Sequence, residues 1–400
     1  MRIAYLEQPN CAQRALFGSI GEPTLGIRIV LTGPNSNKLL NGYRVLDLSQ
    51  YIPGPFAARS LADLGAEVIK IEPPAGDPMR GFMYKASAGE ISPLYRHLNR
   101  GKTVAFLNLK ETQDKQHLAR LLRGADVLLE SYRPGVMARL GFDPDRLQAL
   151  NPTLVHCALS GFGQTGPFRD RAGHDLTYCA VAGALSASGT EQRPVMTYPP
   201  VADHAGAMQA VNAVLAALLG RERSGKGAFL DISLTDSILS WQYIGLYESE
   251  QDIGQLRERL LLNGGAACYN IYATSDGRFV VLAALESKFW KAFCCQADRP
   301  DWIARHQEAL PQKGLIAELQ ALFSSRTLAE WQCTLAETDC CFEPIGEIAE
   351  SAEHPQFEAR SAISGRQPGY PAWINGKPVE VRLDYTELAC GHAPIWKGNN

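Results

Sequence analysis

From Tyr43 onward the chain alternates short β-branched or leucine-rich runs with stretches whose apolar residues recur at helical spacing. RVLDLS (residues 44–49) reads as a strand, QYIPGP as a turn, residues 56–65 as an amphipathic helix and EVIKIE as a second strand. The same alternation predicts strands at 103–109, 126–130 and 154–160, with helices at 113–123 and 144–150. Consecutive β-α-β units pair into a parallel sheet covered by helices, so the fold class is α/β.

Further along, Asp203 precedes a long helical run, HAGAMQAVNAVLAALLGRER, which stops at Ser224-Gly225-Lys226-Gly227. A strand-like FLDISL, a helical stretch to Tyr247 and a polar segment, SEQDIGQLRERL, come next. Near Asn263 the texture changes. NGGAACYNIYATSDGRFVVLAALE reads as two strands joined by the Ser275-Asp276-Gly277 turn, and helices continue to about residue 345. The expected layout is therefore a large domain at 41–225, a linker at 226–261, a smaller α+β domain at 262–345, and a tail at 346–400 that returns to the large domain. Residues 1–40 contain no apolar segment long enough for a signal core or a membrane span and read as an N-terminal extension. No internal repeat interrupts this order.

Charge and cysteine content narrow the possible roles. A formal net charge of −3 over 400 residues leaves no strongly basic surface for nucleic acid or an anionic membrane. An anionic ligand must be met by local clusters of Arg and Lys. Ten cysteines show neither C-x-x-C nor Cys/His ligand spacing, which points to free thiols in a reducing cytoplasm and to no metal centre. After the first strand, where a dinucleotide-binding domain places G-x-G-x-x-G, the chain reads Ser49-Gln50-Tyr51-Ile52-Pro53-Gly54-Pro55. Classical NAD binding is disfavoured.

Several longer segments carry a family likeness: LNGYRVLDLSQYIPGPFAARSLADLGAEVIKIEPPAGDPMR, LNRGKTVAFLNLK, ADVLLESYRPGVMARLGF, SGFGQTGPFRDRAGHDLTYCAVAGAL, PVADHAGAMQAV and GRERSGKGAFLDISL. In this order they resemble the family III CoA-transferase and α-methylacyl-CoA racemase superfamily, from about Leu40 to at least Pro355, with motifs nearest the racemase branch. The resemblance implies a Rossmann-like large domain built from both ends of the chain and a small domain inserted between its parts. It also implies an interlocked homodimer whose active site lies between the large domain of one copy and the small domain of the other. The substrate would be an acyl-CoA thioester, with a carboxylic acid acceptor if the reaction is transfer. No cofactor is required beyond the coenzyme A of the substrate.

Coenzyme A carries a 3′-phosphate and a pyrophosphate, which guanidinium and ammonium groups neutralise. By resemblance, Tyr51, Lys70, Arg100, Lys110, Arg133 and Arg139 are its expected contacts. Lys70, Arg100, Lys102, Lys110, Arg133 and Arg139 fall at strand ends or in the loops after them, the edge where open α/β sheets bind ligands. Taken singly, each also reads as a solvated surface charge.

The catalytic expectation centres on Ala172-Gly173-His174-Asp175. In the transferase branch an aspartate here attacks the acyl thioester and goes on to an aspartyl-CoA thioester, and Asp175 falls on that position. In the racemase branch the match is Gly-His-Asp, and His174 is one of two acid/base groups on opposite faces of the α-carbon. Asp203 matches the second of these groups, and Glu286 matches a small-domain glutamate placed beside the histidine. Capping is the competing explanation for Asp203 and Asp175, since each stands at a helix start. If Asp203 caps its helix, the N–H groups of Ala205 to Ala207 would face a developing enolate. His156 reads as structural and His204 as a first-turn helix residue. Three departures from the racemase pattern stand out: Ala205-Gly206-Ala207 replaces a glycine run, Ser287 replaces a proline, and the stretch between Lys70 and Arg100, with GDPMR, is longer and more like the transferase branch. The resulting expectation is α-proton exchange on a 2-methylacyl-CoA through His174 and Asp203; the alternative is CoA transfer between carboxylic acids through Asp175.

Overall fold

The structure, a computed structural model, describes residues 38–82, 90–250, 254–389 and 391–397. The expected N-terminal extension lies outside the described residues, apart from its last three positions.

The first part of the chain runs β1 (Arg44–Leu48), α1 (Pro53–Asp63), β2 (Glu67–Glu72), α2 (Pro93–Asn99), β3 (Thr103–Phe106), α3 (Thr112–Arg123) and β4 (Val127–Glu130). It continues with α4 (Val136–Arg139), α5 (Pro144–Leu150), β5 (Val155–Ser160), α6 (Asp175–Val181), α7 (Val201–Ser224) and β6 (Ala228–Ser233). EVIKIE and residues 144–150 fall on the predicted bounds. The latter helix is sharply marked, because Asp143 accepts the N–H of Arg146 and Pro144 starts the first turn. Helix α2 carries the same signals in Ser92 and Pro93, which the hydrophobic pattern alone did not reveal.

Strands β1 to β6 pair in parallel in the order β3-β2-β1-β4-β5-β6. Successive crossovers run outward in one direction from β1 to β3 and in the other from β4 to β6. The order therefore reverses between β1 and β4, and loops after these two strands diverge to leave a crevice at their C-terminal ends. Central strands read as continuous apolar runs because both faces are covered. One face packs on α1 and α7 through residues such as Ala58, Leu61, Ala210 and Val214; the other packs on α3 and α5 through Leu118, Leu122 and Leu147.

After α8 (Leu234–Leu239) and α9 (Tyr243–Ser249), β7 (Tyr269–Ala273) and β8 (Phe279–Ala283) form the hairpin predicted at the Ser275-Asp276-Gly277 turn, where Gly277 takes a φ of +73°. With β9 (Phe342–Pro344) they make a three-stranded antiparallel sheet. It is covered by α10 (Ser287–Gln296), α11 (Lys313–Phe323) and α12 (Leu328–Leu335). Its separate core is aromatic: Phe323 lies 5.0 Å from both Tyr272 and Trp331 and 5.7 Å from Phe293, centroid to centroid.

The tail carries the short helix α13 (Pro355–Ala359) and two hairpins, β10 (Ile363–Ser364) with β11 (Gln367–Pro368) and β12 (Trp373–Ile374) with β13 (Lys377–Pro378). Then β14 (Thr386–Glu387) joins the parallel sheet beside β3. Trp396 closes the α3 face, its indole N–H donating to the Leu121 carbonyl at 3.0 Å. Among the described residues no helix is long and apolar enough to cross a membrane.

Candidate active site

At the crevice between β1 and β4 lies a cleft of about 520 Å³. Its floor is the loops after β1, β4 and β5, represented by Gln50, Ser131 and Gly161; its wall is the segment leading into α6 and the first turn of α7. Tyr51, Arg133, His174 and Asp203 all line it. Four residues expected from separate parts of the chain therefore meet at one opening.

The wall depends on two glycines. Gly161 and Gly173 flank the Tyr178 ring so closely that a Cβ on either would stand 2.5 Å from its Cε1. Tyr178 is buried against Phe162, with ring centroids 5.3 Å apart and nearly perpendicular planes. Locking this ring fixes the Gly173-His174 backbone. The Thr177 hydroxyl fixes it further, accepting the His174 N–H at 3.0 Å and donating to the His174 carbonyl at 2.7 Å. The His174 side chain is thereby left exposed at the cleft rather than buried and satisfied.

Capping at α7 differs from the expectation. Pro200, not Asp203, is the N-cap residue, and Asp203 stands inside the first turn. The cap comes from 27 residues upstream: Asp175 Oδ1 accepts the N–H groups of Ala202 at 2.7 Å and Asp203 at 3.0 Å. Ala205 to Ala207 are buried within the helix, so their N–H groups do not face the cleft. The missing side chain of Gly206 admits Leu234 of α8, which would lie 2.1 Å from a Cβ there; the glycine serves helix packing, not ligand approach.

Asp203 is partly buried, and its carboxyl is pushed up to about 7, first by burial and then by the negative charge of Asp175. Tyr178 is pushed up to about 12 by burial and by the Asp203 carboxylate. Asp175 does not line the cleft; its second carboxylate oxygen lies 3.8 Å from the Cys179 thiol, which donates to it.

The expected cations divide into two groups. Arg133 is exposed and lines the cleft. Lys70, Arg100 and Lys102 are buried and committed elsewhere, which corrects their expected place at a ligand surface. Lys70 Nζ sits 3.1 Å from Asp77 and donates to the Ser49 carbonyl at 2.6 Å. Lys102 Nζ meets Asp47 at 2.8 Å, and Arg100 meets Asp63 at 3.1 Å and the Pro368 carbonyl at 2.9 Å. Lys70 lies inside β2, Arg100 caps the end of α2 and Lys102 precedes β3, and local patterning does not reveal how much chain will cover them. Lys110 and Arg139 are exposed and lie outside the cleft lining. Glu286 is exposed at the start of α10 in the antiparallel unit and is not part of the cleft within one chain. His156 is buried, as its strand position implied, and His204 lies in the first turn of α7 with its Nδ1 2.5 Å from the Pro200 carbonyl. Arg169 and Arg171 were missed. Both line the cleft, and Arg171 stacks 4.0 Å over Phe168; in FRDRAGHD they read only as loop charge.

The protein is thus an α/β fold, a doubly wound parallel sheet whose switch-point cleft gathers arginines, an imidazole and a half-buried carboxyl. The chain matches CoA-transferase family III over residues 40–394 and belongs to that family, making it an acyl-CoA-processing enzyme. It is 32% identical to acetyl-CoA:oxalate CoA-transferase of Acetobacter aceti, over 86% of this chain and 92% of that protein. It is 33% identical to human α-methylacyl-CoA racemase, over 81% of this chain and 82% of that one. A crystal structure of a CAIB/BAIF family protein from Brucella suis superposes with a TM-score of 0.75 at 26% identity, covering 87% of this chain and 96% of that chain. Transferase and racemase relatives stand equally near.

Proposed function

We propose that the enzyme exchanges the α-proton of a 2-methylacyl-CoA, with His174 and Asp203 as its two acid/base groups. The observation that carries this reading is the division of labour at the cleft: His174 and Asp203 line it, while the Asp175 carboxylate is turned onto the start of α7. One group takes the α-proton, the electron pair passes into the thioester carbonyl as an enolate, and the other group returns a proton to the opposite face. A carboxyl near 7 is half protonated at neutral pH and can serve in either direction. Arg133, Arg169 and Arg171 meet the coenzyme phosphates. A homodimer brings Glu286 of a second copy to His174, in support of which Trp241, Tyr243, Leu246 and Tyr247 expose apolar surface around α9.

A second reading, CoA transfer to a carboxylic acid through Asp175, is favoured by the likeness to the Acetobacter transferase. Incubation with a 2-methylacyl-CoA in D₂O without an acceptor acid separates the two. The expected outcome is α-deuterium incorporation, reduced at least about 100-fold in His174→Ala and in Asp203→Ala. Absence of exchange, with CoA transfer on adding a carboxylate and its loss in Asp175→Ala, would replace the first reading with the second.

A further inference from the structure

The buried charges beneath the cleft take no part in the chemistry above, yet they surround one loop. Asp47, Lys70, Asp77 and Lys102 are each at most 2% exposed. Between them they satisfy the backbone of the loop after β1. Asp47 accepts the Ser49 N–H at 2.9 Å, Lys70 donates to the Ser49 carbonyl, and Asp77 Oδ1 accepts the Tyr51 N–H at 3.4 Å. The Gln50 N–H goes to the Ser131 hydroxyl at 3.0 Å. Side chains from four other points of the fold thus replace the main-chain partners a loop ordinarily lacks.

Tyr51 is held there at a φ of +64°, left-handed backbone that a tyrosine rarely adopts. In this conformation its ring stands edge-on to His174, with centroids 6.2 Å apart and planes at 74°. We propose that Tyr51 is a positioning residue for the His174 imidazole, and that Asp77 is the residue that keeps it in place. Asp77 acts twice: directly on the Tyr51 N–H, and through Lys70 on the Ser49 carbonyl. The inference rests on His174 being an acid/base group, but its geometric content does not.

The test uses the full chain and reads the His174 ring proton by NMR, assigned by its loss in His174→Ala, alongside α-deuterium exchange. In Tyr51→Phe the ring-current shift at His174 should persist, and in Tyr51→Leu it should vanish. Asp77→Ala should abolish it, while Asp77→Asn, which keeps the acceptor oxygen, should largely restore it. Exchange should fall about 10-fold or more in kcat in Tyr51→Leu with a smaller change in KM, because the substrate is bound but the imidazole is misaimed. An unchanged His174 resonance in Tyr51→Leu overturns the proposal even if Asp77→Ala does not fold. Shifts as expected in a protein whose exchange is indifferent to His174→Ala would leave the positioning intact and overturn the reaction assigned above.

Discussion

Around the cleft, the parallel sheet buries Asp47, Lys70, Asp77 and Lys102, whereas the antiparallel unit fills its interior with Trp290, Trp302 and Trp331 and keeps its ion pairs at the surface. Arg299, Arg305 and Glu318 form a network there with side chains 29–42% exposed. Both units have the same solvent and the same chain, so the difference lies in what each must hold. Aromatic packing suffices for a unit that has only to keep its shape. A loop lining a cleft needs hydrogen-bonding partners for its backbone, and the burial of charge beneath it follows from that need.

Breaking a buried pair should give the largest effect. Lys102→Met removes the ammonium from Asp47 and leaves that carboxylate in the interior, with an expected loss of about 3–5 kcal/mol in urea unfolding. A loss below about 1 kcal/mol would mean that Lys70 alone compensates Asp47, and that the sheet's charges are no more demanding than surface ones.

Asp203 sharpens the contrast through pH. Its folded value near 7 stands above the ordinary carboxyl range near 4, so the fold favours the protonated form. This contribution is complete below about pH 4 and is lost as the pH rises through 7. Asp203→Asn should therefore stabilise the protein at pH 8 by about 1–3 kcal/mol and make no difference at pH 4, as read by denaturant midpoints at the two pH values. Equal midpoints at pH 8 would show an ordinary, solvated carboxylate.

The smallest effect is expected in the antiparallel unit. Glu318→Gln cuts its ion pairs to Arg299 and Arg305 at the surface, and the melting temperature should not move measurably at physiological salt. A drop of several degrees would erase the distinction between the two regions.

Much of the scaffold was legible because its signals are local. EVIKIE is a buried strand by composition alone, and residues 144–150 are a helix bounded by an aspartate and a proline. The hairpin at Ser275-Asp276-Gly277 declares itself by its turn. The cleft was legible only where a residue's placement is set by its neighbours in sequence, as for His174. Asp203 looked like a cap because it stands at a helix start, but the cap arrives from Asp175, and no local pattern records a partner 27 residues away. Lys70 and Arg100 misled for a related reason: the local element can be read, but depth in the fold depends on other segments, such as Asp77 beside Lys70 and Pro368 above Arg100.

The strand β14 has a bearing on the order of events during synthesis. It completes the sheet beside β3 from a segment that follows the antiparallel unit in the chain, so when the ribosome has made that whole unit the β3 edge is still unpaired. The later-made unit, whose contacts are local, can close first, while the earlier-made one waits for β14. A truncation ahead of Thr386 would then act on the earlier-made part of the protein, exposing the edge of β3 to pairing with another molecule.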